Sequence, residues 1–273
     1  MYDLLPEDKI HWSYDEFLEF CRAARENGKD KNIYATQLFA GSKSSDAVYY
    51  SFMMSGGSDI LNADHTGMAI NEEKASDTLT LFKTMIEEEL VPSGAATTVD
   101  NDIRPNWYSQ KLVCMFVSTG TGEAVNVKKQ IDSGDIEPFD VDIYEIPTPD
   151  GKADPHVMSW GSTGFTIFKN AGDNAKIEAS KKVIETFLEN QSYSQEVCVQ
   201  TGNSTVLKDL DVDYGDDKLN EQAKRAAAST AEYADSSIGV LESWWSDFRE
   251  TFYVQLQSYY TGEKLSLIHI SEP

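Results

Sequence analysis

The amino-acid sequence predicts an α/β protein of two lobes, on three observations. Residues 156–168, His-Val-Met-Ser-Trp-Gly-Ser-Thr-Gly-Phe-Thr-Ile-Phe, form an extended β-branched and aromatic run broken by Gly161 and Gly164, where the backbone can bend or be approached closely. Such a run reads as a hinge at which the chain crosses between lobes, with a ligand held between them. Residues 112–117 are uninterruptedly apolar, the pattern of a strand buried on both faces of a sheet. Past the hinge, Ile177, Ser180, Val183, Ile184, Phe187 and Leu188 make a stripe along one side of a helix, and that stripe needs a sheet to cover it.

Taken in order, the chain first offers Ser13-Tyr-Asp-Glu16, a capping box, with Trp12 and Phe17 at the two positions of a hydrophobic staple, so a helix runs from Ser13 to about Asn27 and stops at Gly28. Residues 32–39 read as a short strand. Residues 44–54 hold Tyr49, Tyr50, Phe52, Met53 and Met54 before Ser55-Gly56-Gly57, which is either plain core or a partly exposed binding face. Asn62-Ala-Asp-His-Thr-Gly67 is a turn by composition. Asn71 then caps a helix with Glu72 and Glu73 in its first turn, and Ala75, Leu79, Phe82, Met85, Ile86 and Leu90 mark its buried side. A short helix over 103–110 tolerates Pro105 in its first turn.

The loop Ser118-Thr-Gly-Thr-Gly122 follows the apolar strand and leads into a helix near Glu123. Free N–H groups at a helix start bind anions and polar groups, but Gly120-x-Gly122 lacks a third glycine at Val125 and no Gly-Lys-Ser/Thr is present, so a polar ligand suits it better than a nucleotide. Residues 140–146 alternate as a half-buried strand. Asp209-Leu-Asp-Val-Asp-Tyr-Gly215 has alternating acids, but its glycine comes one residue late for a calcium loop, and a surface acidic loop is the better account. The last strong element, over 241–260, carries Trp244, Trp245, Phe248, Phe252, Tyr253 and Leu256 on a helix. Adjacent residues point about 100° apart there, so Trp244 and Trp245 cannot share one core contact, and one of them is free to serve as a ligand platform.

Composition narrows the function. With 40% hydrophobic and 11% aromatic residues, the 273-residue chain has enough apolar material for a core. Its 46 acidic and 23 basic residues leave a formal charge of −23, which repels nucleic-acid phosphates and anionic lipid heads and favours a neutral or cationic ligand. Cys21, Cys114 and Cys198 are far apart and odd in number, so they form neither a disulfide framework nor a metal set and read as small buried hydrophobes. The four histidines are scattered; the pattern calls for no metal and no cofactor. The first residues have neither a basic start nor an apolar run, unlike a signal peptide.

Several segments together resemble the carbohydrate-type extracellular solute-binding proteins of ABC importers, the family of maltose-binding protein. Trp12-Ser-Tyr-Asp-Glu-Phe17 matches that family's Thr-Trp-Asp-Glu-Phe helix start, and Ser55-Gly-Gly-Ser-Asp-Ile-Leu61 its Gly-Gly-Asp-Ile-Leu turn. Residues 108–115 match its Phe-x-x-Gly-Lys-x-Ala-Met strand entry, with Lys111 in place of glycine. Residues 160–168 and the helix after them match its glycine-rich return strand, and Thr201-Gly-Asn-Ser-Thr-Val206 its Thr-Gly-x-x-Pro-Val, with Thr205 in place of proline.

The resemblance implies a two-lobed, type II periplasmic-binding-protein-like fold, present as a fragment. Residues 1–157 and 206–264 would be the nearly complete second lobe, and 158–205 the hinge crossover with part of the first lobe. The missing portion is then about a hundred residues, the size of a small domain. Residues 265–273, Leu-Ser-Leu-Ile-His-Ile-Ser-Glu-Pro, read as a non-native tail translated from a transposon-end sequencing adapter. The whole protein would be extracellular or periplasmic and lipid-anchored, with its signal sequence outside this fragment.

The implied function is capture of a small neutral solute, a sugar or oligosaccharide first, and its delivery to membrane permease subunits, with no enzymatic step and no nucleic acid. Aromatic faces cover sugar C–H bonds while rim carboxylates and amides bond the hydroxyls. Tyr49, Tyr50, Trp160 and Trp244 or Trp245 are the candidate stacking groups. Ser118, Thr119, Gly120 and Gly161 are the candidate polar and backbone contacts, and Asp46 and Glu242 the hydroxyl acceptors. The alternatives are a polyamine or other solute receptor of the same fold, since aromatic boxes with acids also hold cations, and a glycoside hydrolase working through paired carboxylates.

Overall fold

A computed structural model describes residues 4–8, 10–64, 66–117, 119–152, 156–158, 165–168, 173–235 and 242–263. The chain forms two compact units, one made of Met1–Phe116, Tyr144–Ser159 and Glu232–Pro273, the other of Val117–Ile143 and Trp160–Ala231. The passage from one to the other after Ser159 falls within the run expected to be a hinge; its residues 159–164 lie outside the described ones. The division differs from the expected 1–157, 158–205 and 206–264, because 117–143 and 206–231 join 160–205. Side-chain bonds link these segments: Gln222 Nε2 donates to Asp142 Oδ1 at 2.5 Å, Lys129 Nζ to the Gln200 carbonyl at 2.5 Å and Gln195 Nε2 to the Asp213 carbonyl at 2.5 Å.

The first unit begins with α1, Tyr14–Gly28, and both arms of its capping box are made: Glu16 N–H donates to Ser13 Oγ at 3.2 Å and Ser13 N–H to Glu16 Oε2 at 2.6 Å. Trp12 closes the staple edge-on to Phe17, ring centroids 5.2 Å apart, and its indole N–H donates to the Glu145 carbonyl at 2.8 Å. Gly28 serves for room rather than for a left-handed turn. A Cβ there would lie 2.6 Å from Ile33 Cβ, while the left-handed residue is Asn32, after a 3-10 turn at Lys29–Lys31.

Around the same core come α2 (Ser45–Ser55), α3 (Glu72–Glu87, capped by Asn71) and, from the far end of the chain, α9 (Trp245–Tyr260), while the short α4 (Ile103–Tyr108) follows a 3-10 turn at Asp100–Asp102. Helix α2 is apolar nearly all round, as a fully enclosed helix must be. Its Phe52 meets Phe82 of α3 at 5.0 Å, Tyr50 meets Phe252 of α9 at 4.8 Å, and Tyr14 of α1 donates its hydroxyl to the Phe52 carbonyl at 3.2 Å. Ala75, Leu79, Phe82 and Met85 of α3 are buried as the periodicity read from sequence expects, joined by Thr78 and Leu81, while Ile86 is half-buried and Leu90, also buried, lies past the helix end. At the first turn of α2, Asp46 is fully buried and takes a two-pronged ion pair from Arg249 of α9, with Nη2 2.9 Å from Oδ1. Burial pushes the Asp46 carboxyl above the ordinary carboxylate range against the opposing pull of Arg249.

The expected strands are mostly extended chain without a ladder. Among the described residues the assigned strands are β1 (Val157–Met158) and β2 (Ala234–Asp235), paired in parallel. Residues 32–39 and 112–117 touch through one parallel bridge, Tyr34 with Leu112, in which Tyr34 N–H donates to the Lys111 carbonyl at 2.9 Å and Val113 N–H to the Tyr34 carbonyl at 3.0 Å, and Cys114 N–H donates to the Ala35 carbonyl at 2.8 Å beside it. Burial on both faces fails for 112–117: Leu112 is buried, but residues 113–116 are half-buried and Val117 is exposed. Residues 140–146 are irregular.

In the second unit, α5 (Gly120–Ser133) packs on α7 (Gln191–Thr201) and α6 (Asn174–Glu189, capped by Asp173) lies beside α7, with Val125, Val127 and Cys198 buried, and α8 (Asp217–Tyr233) buries Leu219 and Gln222. Backbones meet closely where α7 ends: Gly202, at φ +68°, would place a Cβ 2.4 Å from the Cα of Gly122. Two glycines are needed to let them pass.

Two outcomes follow from these packings. Ser13→Ala removes the α1 cap and is expected to cost about 1 kcal/mol in urea unfolding; an unchanged midpoint would mean that the cap is idle. Arg249→Met strands the Asp46 carboxylate and is expected to cost about 3–5 kcal/mol at neutral pH, most of it recovered in Asp46→Leu/Arg249→Met. A folded pKa above the unfolded one contributes stability that is fully present below the unfolded value and is lost as pH rises through the folded one. Arg249→Met should therefore melt closer to the parent protein at about pH 4.5 than at about pH 8, and equal deficits at both would assign the penalty to lost packing.

Candidate functional site

The structure sorts the candidate ligand groups by burial. Tyr49 and Tyr50 are 1% and 0% exposed; Tyr49 donates its hydroxyl to the Ala75 carbonyl of α3 at 3.3 Å, and burial pushes both phenols well above their ordinary value. Both are core residues rather than an open stacking face, because α9 covers the side of α2 on which they stand. Asp46, also expected as a hydroxyl acceptor, is fully buried with both oxygens on Arg249, so no outside ligand reaches it. Trp245 is 4% exposed and packs against Tyr50 at 6.0 Å and Phe248 at 5.4 Å.

Trp244, next to it, is 36% exposed and stands just before the first turn of α9. Its ring meets Trp245 edge-on at 6.0 Å and Phe248 edge-on at 6.0 Å, so two fixed aromatics hold the indole. Glu242, half-buried, lies two residues earlier, and its carbonyl accepts from Trp245 N–H at 3.1 Å. The split between neighbouring tryptophans, one sealed and one presented, is what their angular offset on a helix requires.

In the second unit, Thr119 and Gly120 start α5, three residues before the expected helix start at Glu123. The Thr119 hydroxyl accepts from Gly122 N–H at 3.1 Å as the helix cap. A Cβ on Gly120 would lie 2.7 Å from Ile143 Cγ2. The glycine pair thus has a packing reason, with Gly120 beneath Ile143 and Gly122 beneath Gly202. Ser118, Trp160 and Gly161 lie outside the described residues.

Sequence reasoning missed Arg249. Its signal was a cation four residues after Trp245, on the buried side of an aromatic helix, where an acid must meet it. The space inside the first unit lined by Gln37, Ser45, Tyr49 and Phe116 has a volume of about 10 Å³, enough for one water and far below a sugar ring. Among the described residues no group of three or more His, Cys, Asp or Glu side chains gathers as for a metal. Asp213, from the acidic loop, uses its carboxylate within the turn, accepting from Gly215 N–H at 2.8 Å and from Asn220 Nδ2 at 2.9 Å. Burial raises the thiols of Cys21 and Cys198 and pushes Cys114 up to about 12, which makes all three poor nucleophiles. No described helix is long and apolar enough to cross a membrane.

Solved structures share this fold at low sequence identity. The maltose-bound MalE3 of T. maritima superposes with a TM-score of 0.65 at 16% identity, over 94% of this chain and 62% of its own. The GacH receptor of Streptomyces glaucescens, solved unliganded and with acarbose, gives 0.64 at 15%, over 96% of this chain and 62% of its own. The ABC-transporter-associated binding protein of B. animalis subsp. lactis, in complex with β-1,6-galactobiose, gives 0.59 at 18%, over 92% and 62%. The chain thus spans about 62% of the length of these structures. No curated protein matches its sequence. The model of the bacterial extracellular solute-binding protein family matches residues 1–193, well over half of the sequence. The chain therefore belongs to the bacterial extracellular solute-binding protein family, as its helix starts and glycine turns had implied.

Proposed function

We propose that this chain is part of a receptor that captures an oligosaccharide outside the cell and hands it to the permease of an ABC importer. The observation that carries this reading is Trp244, an indole face left open to solvent and held edge-on by Trp245 and Phe248. A flat, rigid apolar face matches the C–H side of a sugar ring, and Glu242, two residues earlier in the chain, is proposed as the acceptor for its hydroxyls. Membership of a solute-binding family and fold neighbours solved with maltose, acarbose and galactobiose support it. Ser118, Trp160 and Gly161 remain proposed contacts, as do export and a lipid tether. Capture favours the ligand-loaded state only by the ligand's differential affinity for it.

The charge of −23 favours a second solute class, polyamines, which an aromatic face flanked by acids also holds. A glycoside hydrolase is poorly served: Asp46, the carboxylate that burial raises, faces Arg249 rather than a second acid. The family is one of transport binding proteins rather than enzymes.

Titration calorimetry of the protein encoded by the complete locus against maltotriose, galactobiose and spermidine tests the reading. Saturable heat with an oligosaccharide is expected, with no release from a chromogenic glycoside. Trp244→Ala should weaken that affinity by about tenfold or more while leaving the melting temperature nearly unchanged. Trp245→Ala should instead destabilise the fold by about 3–5 kcal/mol. Saturation by spermidine alone would transfer the site to polyamines, and unchanged sugar affinity in Trp244→Ala would remove the stacking role.

A further inference from the structure

The three cysteines are scattered along the sequence, yet the packing of α1 sets two of them against each other. Near its start, Phe17 of α1 meets Phe116 with ring centroids 5.9 Å apart. In its last turn, Arg25 lies over the Tyr34 ring at 4.2 Å, and Tyr34 is the residue that bridges Leu112. The helix therefore runs against the extended segment, Phe17 beside residue 116 and Arg25 toward residue 112. Cys21 stands midway between Phe17 and Arg25, and Cys114 midway between Phe116 and Leu112. Four residues of helix rise about 6 Å and two of extended chain about 6.6 Å, and at those steps side chains return to the same side. The register fixed at both ends thus carries the two thiols to one place. Cys21 is fully buried, and Cys114 packs against the same core. The electrostatics agree: burial raises the Cys21 thiol, and the Cys114 sulfur raises it further. Cys198 stands apart, on α7 of the second unit.

We propose that Cys21 and Cys114 are a disulfide site, oxidised as the protein folds outside the cell, and that the bond ties α1 to the extended run after α4. The family is one of extracellular proteins, and outside the cell disulfides form and persist. The oxidant is a small-molecule disulfide. The thiolate of one cysteine attacks it and expels one small thiol; the second cysteine attacks the mixed disulfide and expels the other. Two protein thiols lose two hydrogens, and one small disulfide becomes two thiols. Exchange needs a thiolate, and the finished core holds both thiols high, Cys114 at about 12, so the bond forms while the chain is still open. Once the core closes, the same burial shields it from reductants. Residues 21 and 114 bound a long loop, so the bond removes much of the freedom of the unfolded chain. The inference is independent of which solute the protein binds.

The test refolds the protein encoded by the complete locus from reducing denaturant in a mixture of oxidised and reduced glutathione. Free thiols are then blocked with iodoacetamide in denaturant, and the protein is cut with trypsin. The expected product joins the peptide Ile10–Arg22, which carries Cys21, to Leu112–Lys128, which carries Cys114, two hydrogens lighter than the two apart. Cys198 should appear blocked, in the peptide Val183–Lys208. Recovery of Cys21 and Cys114 as blocked thiols would overturn the proposal, as would either of them joined to another cysteine or to glutathione. The oxidised protein is expected to melt about 5 °C or more above the same protein treated with dithiothreitol. That difference should vanish in Cys114→Ala and persist in Cys198→Ala; the same difference in Cys114→Ala would assign it to another bond and overturn the tie. Each comparison is made within one variant, so a core weakened by the substitution does not disturb it. None of these readouts uses sugar binding, so their failure and that of the receptor assignment are separable.

Discussion

The first unit depends on enclosing α2. A helix with Tyr49, Tyr50, Phe52, Met53 and Met54 in one run has no side to give to water, so α1, α3 and α9 must all reach it. That enclosure traps the polar first turn of α2, and Asp46 then has to meet a cation because an unpaired buried carboxylate costs several kcal/mol. Arg249 answers from 203 positions away. The same contact fixes α9 in rotation about its axis, which sends Trp245 inward and leaves Trp244 at the surface. Trp244, not Trp245, is the indole left at the surface of this helix.

The second unit is organised differently. Two backbones pass close at Gly122 and Gly202, and polar side chains do much of the joining: Gln222 to Asp142, Lys129 Nζ to the Gln200 carbonyl at 2.5 Å, and Gln195 to the backbone of Asp213. Such joints hold elements in register but exclude little water. With α6 uncovered, the unit has a framework of helices and a thin apolar interior.

Features whose partners lie within a few residues were legible from sequence. The capping box at Ser13 and Glu16, the Trp12–Phe17 staple and the Asn71 cap all formed, because each needs only the local chain. The periodicity of α3 likewise named most of its buried side. Helices α7 and α8 were not anticipated as separate elements: residues 191–201 have no apolar stripe, and α8 is largely polar and alanine-rich, held by Leu219 and Gln222. The strands were overread. Residues 32–39, 112–117 and 140–146 have strand composition, but a ladder is made by neighbours, and here the pairing amounts to a few hydrogen bonds around Tyr34 and Leu112.

By itself, the sequence determined the starts of α1 and α3, the family and the fact that Trp244 and Trp245 diverge, since each of these rests on short stretches of chain and their angular repeat. Only the tertiary structure decided that Tyr49, Tyr50 and Asp46 are interior, that Gly120 and Gly122 make room rather than a ligand cradle, and that α6 stands uncovered. Local pattern sets the direction in which a side chain leaves its own backbone. Whether protein or water lies in that direction depends on segments far away along the chain, as Arg249 is from Asp46, and no stretch of sequence contains that information alone.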